Sequence, residues 1–148
     1  MKRIFLSLSL LVLLSAMPAL AIEFRSVAAN HTVVFDAPSS EAKKLYIFGN
    51  GYPVEVIVNL GEWIKVRDHF GSLSWIQNKQ LTNKRSVLVL QDNTALKQTE
   101  EANSALLATL AKDVVVELVS TTAKNGWVKV KHRDGLIGFV PATALWGF

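Results

Sequence analysis

The chain has 148 residues, half of them hydrophobic, a formal charge of +4 and no cysteine. Without thiols it can form no disulfide, thiol nucleophile or Cys-based zinc site, so apolar packing has to hold it together. A small positive charge scattered along the chain also argues against nucleic acid, which calls for a clustered basic face.

Residues 1–21 read as a secretory signal. Lys2 and Arg3 form a positive head, Ile4 to Met17 is an apolar run of fourteen residues, and Ala19-Leu20-Ala21 is a small-x-small cleavage site. A membrane-spanning helix needs about 20 apolar residues, and Pro18 and Glu23 interrupt this run too early. No Cys stands at the cleavage point for lipid attachment. Cleavage would leave 148 − 21 = 127 residues and, with Lys2 and Arg3 removed, lower the charge from +4 to +2. The expected protein is exported, periplasmic or extracellular, with no membrane span after signal removal.

The rest of the chain consists of short apolar runs broken by turn signals. Thr32 to Phe35 and Leu45 to Phe48 read as strands, followed by an Asn50-Gly51 turn. Val54 to Val58 and Trp63 to Arg67 form a hairpin across Asn59 to Glu62, and Ser72 to Ile76 follows the Asp68 to Gly71 turn. Further on, Ser86 to Leu90, Thr94 to Lys97, Val114 to Val119, Trp127 to His132 and Leu136 to Val140 read the same way. Asn125-Gly126 and Asp134-Gly135 mark two of the turns between them.

The segment 100–112 conflicts with this pattern. It is rich in helix formers, and Leu106, Leu107 and Leu110 have helical spacing.

An internal repeat resolves the conflict. W-I-K-V-R-D-H-F-G-S-L-S-W-I-Q-N-K-Q-L (63–81) aligns without a gap on W-V-K-V-K-H-R-D-G-L-I-G-F-V-P-A-T-A-L (127–145). Five of nineteen columns are identical: Trp63/Trp127, Lys65/Lys129, Val66/Val130, Gly71/Gly135 and Leu81/Leu145. Roughly one identity is expected by chance. Extending the alignment sets 106–110 against K-L-Y-I-F (44–48), so 106–110 is expected to be a strand. The repeat divides the chain into 22–83 and 84–148 across the short polar linker 81–85. Each half has about 60 residues, near the lower limit for independent folding, so the halves are expected to lean on each other or on a partner. Five short strands in about 60 residues, with tight turns, suggest a small barrel, closed or nearly so.

The motif G-E-W-I-K-V-R…G…L-S-W-I…L (61–81) and its echo N-G-W-V-K-V-K…G-L-I-G-F-V-P…L (125–145) resemble bacterial SH3-like domains. The resemblance implies an all-β chain of two tandem small SH3-like β-barrels. It also implies an envelope-associated binding module of the kind attached to cell-wall enzymes. G-F-V-P-A-T-A-L (138–145) is similar to the end of eukaryotic SH3 domains, where a 3₁₀ turn follows and a Pro-rich peptide lies on aromatic residues. That groove is incomplete here. The Trp is present as Trp63 and Trp127, the Pro only as Pro141 (Gln77 in the first copy), and the Tyr is replaced by Gln80 and Ala144.

Strand alternation assigns the candidate binding residues. Trp63, Lys65 and Arg67 share one face, with Ile64 and Val66 turned to the core. Trp127, Lys129 and Lys131 repeat this arrangement against Val128 and Val130. An outward Trp beside cations is a platform for a sugar or an anionic peptide, or else a ring that covers the barrel rim or the other repeat. Phe70, at the tip of a D-H-F-G turn, is expected to touch something, the other half included. Arg133 and Asp134 occupy the equivalent tip and read as solvated. The tail W-G-F (146–148) reads as docked on its own barrel or on a partner. The ligand-binding candidates are therefore Trp63, Lys65, Phe70, Trp127, Lys129 and Pro141.

No catalytic constellation is visible. His31, His69 and His132 lack metal-motif spacing. Glu62 and Asp68 lie roughly 20 Å apart along one strand, too far to flank one scissile bond. No cofactor, metal or catalytic residue is expected. Two functions fit: a non-catalytic module binding peptidoglycan or an envelope protein, and an assembly protein whose Trp faces are buried in an interdomain or oligomer interface.

Overall fold

The computed structural model describes residues 21–148, so nearly all of the signal segment expected at 1–21 lies outside the described residues. The described chain is all β apart from two single 3₁₀ turns. Its first seven strands are β1 (Phe24–Val27), β2 (Thr32–Phe35), β3 (Lys44–Phe48), β4 (Pro53–Asn59), β5 (Trp63–Arg67), β6 (Leu73–Gln77) and β7 (Leu81–Thr82). The next seven are β8 (Ser86–Val89), β9 (Thr94–Lys97), β10 (Leu106–Leu110), β11 (Val115–Leu118), β12 (Trp127–Lys131), β13 (Ile137–Pro141) and β14 (Leu145–Trp146). A 3₁₀ turn precedes each of the last strands, at Asn78–Gln80 and Ala142–Ala144.

The strands form two antiparallel sheets with one topology, β3-β2-β6-β5-β4-β1-β7 and β10-β9-β13-β12-β11-β8-β14. Adding seven to each strand of the first order gives the second, so the sequence repeat is a repeat of fold. Alternation sets the register. Ile64, Val66 and Ile76 line the first core with Val27, Val34 and Val54. Val128, Val130 and Val140 line the second with Val87, Val89 and Leu96. The two cores are separate.

Segment 106–110 is a strand despite its helix formers. It pairs with β9 through a bulge between Leu106 and Ala108 and turns Leu110 into the core. A buried partner strand outweighs local propensity here.

Two expectations need correction. Each half has seven strands: β1 and the two-residue β7 add to the five read in the first half, and the two-residue β14 adds to the six read in the second. The all-β pair of tandem small barrels stands as expected, with β3 and β7 as the ladder edges of the first sheet and β10 and β14 as those of the second. At the β3 edge a side-chain contact accompanies the unpaired backbone: Phe48 turns inward and stacks on Tyr52 with ring centroids 4.3 Å apart. The second correction concerns the exposure of Trp63 and is described with the site.

The modules are in contact. Ser26 and Ser86, both buried, share a hydrogen bond of 2.5 Å. Ser86 also donates to the Gly51 carbonyl. Gly51 has φ +79°, and a Cβ there would lie 3.2 Å from Val115 of the second module. The W-G-F tail docks on the first module: the Trp146 ring meets Phe24 edge-on at 5.2 Å, and a Cβ on Gly147 would lie 2.8 Å from Pro53.

Candidate functional site

The six candidate residues fall in three separate places. Trp63 starts β5 on the face away from the core, as alternation requires, yet it is only 9% exposed. Phe35, from β2 of the same sheet, meets it edge-on at 5.5 Å. Trp63 is therefore part of the wall of its own module, neither an open platform nor an interdomain contact. Lys65 lies opposite Trp75, its Nζ 5.8 Å from that ring's centre.

The second copy is more open. Trp127 is half-buried opposite Pro141, and Lys129 Nζ lies 5.8 Å over Phe139. The tryptophan that bridges the modules is Trp146.

Phe70 lies past the far end of β5 from Trp63 and is 79% exposed. It borders a pocket of about 410 Å³ lined by Tyr46, Phe48, Tyr52, Asp68 and His69 among others. Both tyrosines of the chain are here. Tyr46 meets Phe48 edge-on at 5.4 Å, Phe48 stacks on Tyr52, and His69 lies 3.7 Å from Phe70 between ring centres. Side chains from β3, the β3–β4 turn and the β5–β6 turn thus form one continuous aromatic bed.

A buried carboxylate braces it. Asp68 Oδ1 accepts the backbone N–H groups of Phe70 and Ser72, each at 2.9 Å, and Oδ2 accepts the Tyr46 hydroxyl at 3.2 Å. Asp68 thereby holds the turn that presents Phe70, with its lone pairs largely engaged within the protein.

Burial pushes the Tyr46 phenol up, and pushes Tyr52 up to about 12. Tyr52 therefore stays protonated, and its hydroxyl shares a hydrogen bond of 2.5 Å with His69 Nδ1. His69 Nε2 is buried without a hydrogen-bond partner, 4.0 Å from Asp113 Oδ1 of the second module. Asp113, His69 and Tyr52 follow one another in the order of a nucleophile relay, but His69 and Asp113 share no hydrogen bond and the electrostatics run the other way. A nucleophile needs its anion stabilised, and burial here disfavours the phenolate. The bed suits stacking against an apolar or sugar face.

Neither Tyr46 nor Tyr52 was among the sequence candidates. Their signal was compositional: the chain's two tyrosines flank one Asn-Gly turn.

Among the described residues no group of three His, Asp or Glu side chains is placed to hold a metal. No described helix is long and apolar enough to cross a membrane.

No curated protein matches the chain. Solved structures to which it is similar include NlpC2 and NlpC1 from Trichomonas vaginalis, at 15% and 14% identity and TM-scores of 0.39 and 0.38. Another is an NlpC/P60 family protein from Bacillus cereus, at 16% identity and a TM-score of 0.37. Between 83% and 88% of this chain is covered, but it spans only 46%, 47% and 56% of those three. Two segments, residues 28–83 and 96–147, each match the bacterial SH3 domain family. With one match on each of its two like-folded sheets, the chain belongs to the bacterial SH3 domain family.

Proposed function

We propose that this chain is an exported, non-catalytic binding module of the cell envelope, and that it holds peptidoglycan on the aromatic bed of Tyr46, Tyr52 and Phe70. Membership of the bacterial SH3 domain family supports a binding role. The positive head, apolar run and small-x-small site at 1–21 support export. The observation that carries the choice of surface is Phe70, a large apolar ring 79% exposed beside an aromatic pocket. Monomeric proteins seldom leave such a patch without a use.

The test is co-sedimentation of residues 22–148 with purified cell walls. Wild-type protein should pellet with the walls. Phe70→Ala combined with Tyr46→Ala should stay in the supernatant while keeping a folded near-ultraviolet spectrum. If the wild-type protein stays in solution, peptidoglycan is the wrong ligand and an envelope protein takes its place in the proposal.

One observation favours a second reading, assembly. Edge strand β3 leaves one backbone side unpaired and exposes Leu45 and Ile47, the latter 57% exposed. Such an edge can take another strand. Concentration-dependent sedimentation velocity, abolished by Ile47→Lys, would support it over the monomeric binder.

A further inference from the structure

A second cavity, of about 520 Å³, lies between the modules. Its walls come from β1, the β3–β4 turn and β7 of the first module, from the linker, and from β11, β12 and the β12–β13 turn of the second. It exists only because the modules dock. Its charge is one-sided: Lys84, Arg85, Lys131 and Arg133 line it against a single carboxylate, Glu117.

The charges divide by engagement. Lys84 Nζ pairs with Glu117 at 3.0 Å. Arg85 is tied into the wall, donating from Nη2 to the Gly147 carbonyl at 2.7 Å with its guanidinium over Phe24, while its buried Nε has no protein partner. Lys131 and Arg133 are exposed and have no ion-pair partner among the described residues. Two free cations thus stand on one rim, contributed by the second module.

We propose that this cleft binds a short acidic peptide, with Lys131 and Arg133 taking its carboxylates. Its size lies in the range of small-ligand sites, about 300–1,000 Å³. Two free cations match two single charges, and the Lys84–Glu117 pair dilutes the field that a phosphate polymer would seek. The remaining wall mixes Asn50, Thr82 and Ser86 with Val27 and Val115, a lining suited to peptide amides and small side chains. The site goes beyond the aromatic bed and does not depend on it.

Titration calorimetry of the chain with triglutamate at low salt tests the proposal. Saturable binding is expected, weakening as salt rises. Lys131→Ala with Arg133→Ala should lower affinity at least about tenfold, the scale of one charged contact. Lys43→Ala with Lys79→Ala removes the same formal charge from exposed positions outside the cleft and should leave affinity within about twofold. No saturable binding, or equal loss in both double variants, would overturn the site. Tripolyphosphate binding at least about tenfold tighter than triglutamate would overturn the peptide in favour of a phosphate polymer. Wall binding is read by Phe70 variants and this cleft by Lys131 variants, so the two proposals fail separately.

Discussion

The Ser26 and Ser86 hydroxyls meet at 2.5 Å in the buried seam between the two modules. Ser86 spends its single proton on the Gly51 carbonyl, so Ser26 donates to Ser86 Oγ. The backbone N–H of Ser86 donates back to Ser26 Oγ at 3.0 Å. Two backbone groups, the Gly51 carbonyl of one module and the Ser86 N–H of the other, are satisfied by two small side chains. Ser86→Ala would leave the Gly51 carbonyl without its donor and the Ser26 hydroxyl proton without its acceptor, although the backbone N–H of residue 86 would still reach Ser26 Oγ. We expect a loss of about 1–3 kcal/mol in urea unfolding, with one cooperative transition becoming two as the modules uncouple. A single, unshifted transition would show that the seam contributes nothing.

The two repeated tryptophans should separate under substitution, although they occupy one alignment column. Trp63 is sealed against Phe35, so Trp63→Ala opens a cavity and should cost about 3–5 kcal/mol. Trp127 is half-buried beside Pro141, and its truncation should cost about 1–2 kcal/mol. Thermal denaturation of the two variants compares them directly. Equal losses would mean that the rings share one environment after all.

That contrast marks how far the sequence could be read. Alternation assigned the faces of β5 and β12 correctly, because a period of two is a local property of extended backbone. It could not say that Phe35, from a strand much earlier in the chain, would cover Trp63 and leave its counterpart more open. The same division runs through the fold. β10 was legible only through its alignment with β3, since its own residues favour a helix. F-R-S-V in β1 is short and carries a charge, and β7 and β14 have two residues each, so hydrophobic pattern alone did not reveal them. In the site, Phe70 was legible as an apolar ring on a turn. Tyr46 and Tyr52 were not, because their setting depends on Asp68 and His69 arriving from the β5–β6 turn.

The aromatic bed also has a titration signature. Burial raises the Tyr46 pKa and carries Tyr52 from 10.0 to about 12. A phenol whose folded pKa exceeds its unfolded value is held protonated by the fold. The stability linked to that difference is complete below about pH 10 and is lost as pH rises through about 12. With only two tyrosines in the chain, tyrosinate absorbance can follow both. The native protein should ionise them late, with the last step near pH 12, whereas protein in concentrated urea should ionise both near pH 10. Tyr52→Phe should remove the late step and flatten the alkaline fall in melting temperature. If the native chain instead titrates in one step near pH 10, Tyr52 is open to water, and the bed that presents Phe70 is not the packed surface described above.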